Sequence, residues 1–348
     1  MGMRAAAKRV GLRGIELTAK KEKKGIGSKV HGGDHAMAVA KTAYMLAYRK
    51  ALAEGASIPE AKRSASMAFA AGGQHDMTRK ATELKPHGNT AKRAFLTLAK
   101  RYPSVYEFNA AEKEAIADAI ELHELAYEEL KAKVAGKTRE ARVAAEAVQI
   151  ADKVFEASGV RVIERRAFFV GKERLMPGKD LHYLKEIYGE KAPLCAVAME
   201  SCMRLRGINY LPDVEKAMQP IAAPLHAVQE KFYLGLLHEI GFKNESQLLE
   251  EMKRIKFPKL DKMGAKIEKT IAIEAPRVAR LNISSDTAKS AAETVMHFVQ
   301  SKSPTEALAT FRPQGQQAKE WLKGMQGYRQ GNFGYLKQLS RQLRQAFA

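Results

Sequence analysis

Four stretches of the 348-residue chain put an imidazole or a carboxylate where an apolar side chain is expected. Ile116, Ile120, His123 and Tyr127 keep the i, i+4, i+7, i+11 spacing of one helical face, so His123 points inward. Val148, Asp152 and Phe155 share a face in the same way, and His35 shares one with Val39, Thr42 and Leu46. His75 and Asp76 stand side by side just past an alanine-rich helix and the pair Gly72, Gly73. One inward histidine is ordinarily a hydrogen-bonded core residue, and one inward aspartate is ordinarily a tie between helices or an ion pair. A buried carboxylate is costly unless something charged compensates it. A shared divalent cation would remove all four costs together, and that is the chemistry this coincidence points to.

The order His35, then His75-Asp76, then Asp152 resembles the H…HD…D signature of the HD superfamily of metal-dependent phosphohydrolases. His35 opens the string HAMAVA, similar to the family's first helix, with a valine four residues on. Met77, Thr78 and Arg79 follow the HD pair, close to the common HD-apolar-Gly-Lys/Arg form with Thr78 in the glycine position. Asp152 lies in VQIADKVFE, like the family's final helix, and the run ERRAFFVGKE after it suits the pattern. The resemblance spans residues 30–175, about half of the chain.

That resemblance implies His35, His75, Asp76 and Asp152 around one metal, with His87 and His123 completing a second site and Asp76 bridging the two. Imidazole with carboxylate suits Mn, Fe, Co, Ni or Zn better than Ca, whose ligands are oxygens. The implied activity is hydrolysis of a nucleotide or other phosphate ester by a metal-activated water. Arg79 and Lys80 are the nearest cations for the phosphoryl oxygens, with Arg161, Arg165 and Arg166 further candidates. The string HGGDH sets His31 four residues before His35, similar to the H-N-x-x-H start of cyclic-nucleotide phosphodiesterases, with Gly32 in the Asn position. His31 is thereby a candidate proton donor. The chain has no GYP tripeptide, and its HD pair is followed neither by an acidic pair nor by a nearby histidine. The implied substrate therefore stops at a nucleotide, dinucleotide or other phosphate ester. The competing expectation is a helical module of the same build that binds nucleic acid or regulates, with little or no catalysis. A purely structural helical protein is a third.

The elements that must carry these residues read as helix after helix. Asp34 is expected to cap the stretch His35 to Glu54, which Gly55 closes. Ser57 and Glu60, with Pro59 between, form a capping box for a helix toward Ala71, and Asn109 with Glu112 repeats it for a helix to about Val134. Thr138 to Ala157 follows, ended by Gly159; Ser303, Pro304 and Glu306 mark another start, and Asn244 and Ser285 are candidate caps. Only 160–170 hints at alternation. The expected class is all-α, an HD-domain-like bundle with additional C-terminal helices. A flexible basic segment over 1–29, a catalytic domain over 30–178 and a helical C-terminal region over 179–348 complete the expected organisation.

Bulk composition narrows the setting. With 45% hydrophobic and 28% charged residues, the chain can bury a sizeable core. No stretch approaches the ~20 apolar residues of a membrane span, and no apolar segment follows the basic start. Cytoplasmic residence is the expectation, with secretion lacking a cleaved signal left open. Cys195 and Cys202, seven apart, read as small buried residues of a reducing compartment. The net charge of +20 is concentrated at the ends: residues 1–50 carry twelve Lys/Arg against three acids, and residues 299–348 eight against two. An anionic phosphate compound or nucleotide is the expected partner, with nucleic acid a second class through the basic ends. Trp321, Tyr328, Phe333 and Tyr335 mingle with Lys323, Arg329 and Lys337, either to stack bases or to pack a helix on the bundle.

Overall fold

The computed structural model describes residues 3–24, 32–79, 87–156, 158–206, 212–242, 247, 250 and 283–346. Their regular structure is helical throughout, with no strand among the described residues, so the all-α expectation holds. In chain order the helices are α1 Met3–Lys23, α2 Gly33–Ala53, α3 Ile58–Gln74, α4 Gly88–Arg101, α5 Ala110–Leu122, α6 Tyr127–Val134 and α7 Arg139–Ile150. They continue with α8 Val160–Arg165, α9 Leu184–Tyr188, α10 Ala192–Arg206, α11 Pro212–Ile240, α12 Ser285–Gln300, α13 Pro304–Thr310, α14 Gln316–Arg329 and α15 Gly334–Ala346. Two π-helical segments, Ala151–Phe155 and Arg166–Val170, extend α7 and α8. Among the described residues no helix is long and apolar enough to cross a membrane.

Two compact units share the chain. One comprises Met1–Ala157, Asn209–Ala223 and Gly331–Ala348, and the other Ser158–Ile208 and Pro224–Gln330. The division falls at residue 157, ahead of the expected seam near Gly178, and the first unit takes back the C-terminal helix α15, which rests on α2.

In the first unit α2 lies along α3, α1 covers both, and α7 packs on α2, α3 and α5. Small residues allow that closeness. A Cβ added at Gly72 of α3 would sit 2.9 Å from the Ala40 Cα of α2, and one at Gly73 would fall on the Gly11 carbonyl of α1. Within the basic opening segment, Met3–Lys23 form this helix α1. Ala6, Ala7, Val10, Gly11, Gly14, Ile15 and Thr18 make a buried face that repeats every turn, and Lys20, Lys21 and Lys23 occupy the last turn, where they complement the helix dipole. The Gln74 side-chain amide also donates to the Val10 carbonyl at 2.7 Å.

Both expected capping boxes form, Ser57 with Glu60 and Asn109 with Glu112, and Thr138 and Ser303 cap as read. Asp34 does not cap α2. The cap position is Gly32, and Asp34 stands in the first turn with its Oδ1 accepting from the His35 amide. The helix expected over 110–134 is broken at His123, since Glu124 and Leu125 are held from outside it by hydrogen bonds described below. Ser284 rather than Ser285 caps α12, and Asn244 lies outside the described residues.

The second unit has its own core, in which α8 packs on α14 and the following π segment on α10 and α12. Its residues 160–170, the one hint of alternation, are helical. Trp321 packs edge-on against Phe232 and Tyr328 lies under the Arg161 guanidinium, both buried. Buried Glu164 takes Arg161 and Arg329, while Glu200 takes Arg166 and Arg174. Cys195 is buried, as expected; the side chain of Cys202 lies outside the described residues.

Candidate metal centre

The close crossing of α2 and α3 at Gly72 places His35, in the first turn of α2, against His75, the residue that ends α3. Their Nε2 atoms are 3.3 Å apart. Asp76 follows directly, and its Oδ2 lies 3.4 Å from each of those nitrogens. From the third side comes Asp152, carried by the π segment after α7, with Oδ1 3.3 Å from His35 Nε2 and 3.9 Å from His75 Nε2. A π segment is a common departure from regular helix at functional sites. Here the residue one turn further on, Glu156, meets the other side of the same ring, its Oε2 3.3 Å from His35 Nδ1. All of these side chains are buried, with no more than 9% of any exposed.

The hydrogen bonds fix which ring nitrogens are free to bind. His75 Nδ1–H donates to the Gly72 carbonyl at 2.6 Å, and His123 Nδ1–H donates to the Ile120 carbonyl at 2.6 Å. His35 Nδ1 faces the Glu156 carboxylate, and His87 Nδ1 faces Glu124 Oε1 at 2.8 Å. Every outer nitrogen is thus committed to an oxygen acceptor. When such a ring is neutral its inner Nε2 carries a lone pair, and the four inner atoms converge on two aspartates. Lone pairs and carboxylate oxygens pressed together repel unless a cation sits among them. Donors bound to one ion at 2.0–2.1 Å and tetrahedral angles lie about 3.4 Å from each other. His35 Nε2 lies 3.3 or 3.4 Å from the donors of His75, Asp76 and Asp152, and His75 Nε2 lies 3.4 Å from Asp76 Oδ2. The arrangement can hold a metal ion.

Asp76 faces both ways. Its Oδ1 lies 2.6 Å from His87 Nε2, and Asp76, His87 and His123 bring their ligand atoms within 4.8 Å of one another. His75, His123 and Asp152 form a further such group, so the two sets share members. The His123 Nε2 is buried without a hydrogen bond among the described residues. Glu124, next to His123, holds both the His87 ring and the Gly88 amide, at 2.7 Å. Gln149 donates to the Leu125 carbonyl, at 3.3 Å. These are the groups that break α5 from α6 and turn His123 to the centre.

Charge around the cluster is strongly biased. Burial would raise the Asp152 carboxyl, but Lys153, whose Nζ lies 2.8 Å from Oδ2, and then His35 and His75 hold it well below the usual carboxylate range. Burial lowers the His123 imidazole to about 3, with charge on His75 acting in the same direction, so that ring is neutral. Burial opposes charge on His87 too, yet the Asp76 and Glu124 carboxylates outweigh it and raise the ring to about 9. Glu124 is held down to about 2: burial alone would raise it, but His87 and the Gly88 amide outweigh that.

Six residues read from the sequence as ligands, His35, His75, Asp76, His87, His123 and Asp152, are therefore brought together. Arg79 stands at the margin, its guanidinium 3.5 Å from Asp76 Oδ1. His31 and Lys80 lie outside the described residues. Arg161 and Arg166 belong to the other unit, where Glu164 and Glu200 take their charges. The sequence reading missed the outer carboxylates Glu124 and Glu156, the rim cation Lys153 and, furthest away in the chain, Tyr335. The Tyr335 hydroxyl donates to Glu156 Oε1 at 2.7 Å and stands 3.2 Å from the Thr42 hydroxyl, its ring stacked on Phe155. Glu156 was within reach of inspection, being four residues after Asp152 on one helical face.

Compared with protein-family models, with curated proteins and with solved structures, the chain matches none.

Proposed function

We propose that the chain is a metal-dependent phosphohydrolase or phosphodiesterase of the HD type, acting on a nucleotide or other phosphate ester. One observation carries this reading: four imidazoles with outer nitrogens committed turn their inner nitrogens, with Asp76 and Asp152, toward common points. His35, His75, Asp76 and Asp152 would hold one divalent transition ion such as Mn, Fe, Co, Ni or Zn. Asp76, His87 and His123 would hold a second. When bound, such an ion lowers the pKa of a water toward neutrality and offsets charge on phosphoryl oxygens.

The chain supplies the rest. Glu156 and Glu124 fix the tautomer and tilt of His35 and His87, and the Gly72 and Ile120 carbonyls do so for His75 and His123. Lys153 and Arg79, both partly exposed, would orient an anionic phosphate from the rim. The rival nucleic-acid module draws support from net charge alone, since Trp321, Tyr328 and Phe333 are each no more than 6% exposed and offer no ring for stacking.

The test is hydrolysis of a bis-aryl phosphate, then of mono-, di- and cyclic nucleotides, with Mn or Ni supplied. Turnover abolished by Asp76→Ala and reduced by Lys153→Met is the expected result. Inactivity toward every substrate with every metal would remove the reading.

A further inference from the structure

A second feature of the first unit has no part in the metal cluster. Between α1, α2, α3 and α15 lies a cavity of about 560 Å³. Its wall is apolar, made chiefly by Leu12, Met37, Met45, Phe69 and Leu336. Three of these, Leu12, Met37 and Phe69, back onto the buried cluster of Ile15, Ala36 and Ala40, so the floor is continuous with the core. The volume is in the range of small-molecule sites, ~300–1,000 Å³. A packed helix, ~10 Å across, needs a longer open channel.

The mouth has one sign of charge. Among the described residues, Arg4, Lys8 and Lys41 line it, and no acidic residue does. Elsewhere in this unit cations near the core are neutralised: Lys50 by Glu146, Lys92 by Asp118 and Glu121, Arg142 by Glu54. None of the three at the cavity has a carboxylate partner among the described residues. Lys41 lies over the Phe333 ring instead, 5.2 Å from its centre. An apolar hollow with uncompensated positive charge at its entrance suits a molecule built the opposite way, with a long apolar body and a negative head.

We propose that this cavity binds a single-chain amphiphile with an anionic phosphate or carboxylate head, the chain lying against Leu12, Met45 and Phe69 and the head held by Arg4, Lys8 and Lys41. The site is separate from the metal centre, and its test needs neither metal nor turnover. Alkyl phosphates of eight, ten and twelve carbons, each below its critical micelle concentration, are titrated into the full-length protein by calorimetry. Binding at one per chain is expected, tightening about fourfold per added methylene while the cavity has room. The Lys8→Gln, Lys41→Gln double variant, altered at exposed positions, should weaken it roughly tenfold. Met45→Trp, which fills the hollow, should abolish it, and Leu336→Trp serves the same purpose should the first variant fold poorly. Absence of saturable binding would overturn the proposal, as would equal affinity for an uncharged alkyl maltoside. So would adhesion to anionic vesicles without uptake of any free alkyl phosphate, which would mark a membrane-facing surface instead.

Discussion

Replacing Glu156 by glutamine removes one charge and almost no volume from a fully enclosed position, and its effect can be worked out in advance. Glu156 is 1% exposed and its Oε2 stands 3.3 Å from His35 Nδ1. Across the imidazole, a cation on Nε2 would be roughly 7 Å away. A carboxylate and a divalent ion at that distance attract by about 5 kcal/mol at an effective dielectric of 20, which sets the ceiling. The substituted glutamine would still accept from His35 through its amide oxygen, so part is retained. Loss of such outer partners typically costs 10–100-fold in metal affinity, about 1.4–2.7 kcal/mol. Glu156→Gln should therefore weaken metal binding by that factor in a chelator competition. The metal-free protein should unfold no earlier than the wild type, because an enclosed negative charge has been removed. Unchanged metal affinity, or a metal-free variant that has lost its fold, would refute this assignment.

Other substitutions test other links. Tyr335→Phe keeps the stack on Phe155 and deletes only the hydroxyl on Glu156; the same competition should show a smaller loss than Glu156→Gln, and a larger one would contradict the relay through Glu156. Gly73→Ala should lower stability by about 1–3 kcal/mol in urea unfolding, because its Cβ meets the fixed Gly11 carbonyl and not a flexible side chain; an unmoved midpoint would mean α1 does not cross there. Asp118 is held below its ordinary pKa of 3.8 because Lys137 and Lys92 outweigh the effect of burial. Such a group stabilises the fold above the ordinary value, and the contribution is lost as pH falls through the lowered one. Lys137→Met should then be less stable than wild type at pH 7 and equal to it near pH 2, and a gap that persists in acid would disprove the pairing.

The sequence exposed much of the centre because helical periodicity alone sends His35, His123 and Asp152 inward, and the capping boxes at Ser57 and Asn109 fix where two of the helices begin. What it hid depends on three-dimensional contact. No glycine or proline announces the break after His123. That break follows from Glu124 reaching His87 and Gly88, residues on another helix. The role of α1 was obscured because Gly11 and Gly14 look like helix breakers in isolation, whereas their lack of a side chain is what lets α1 lie against α3. Glu156 was legible as a neighbour of Asp152 by spacing, but its partner Tyr335, 179 residues on, was not. The aromatic residues near the C-terminus could be read as base-stacking or as packing; Trp321, Tyr328 and Phe333 are buried, and the Tyr335 hydroxyl is held by Glu156.

Metal analysis of the purified protein bears most directly on the central claim. At least one transition-metal ion per chain should co-purify or be taken up stoichiometrically, and the Asp76→Ala variant, folded by circular dichroism, should hold markedly less. A wild-type chain that takes up none, or a variant that binds as much as the wild type, would mean that these imidazoles and carboxylates satisfy one another without an ion.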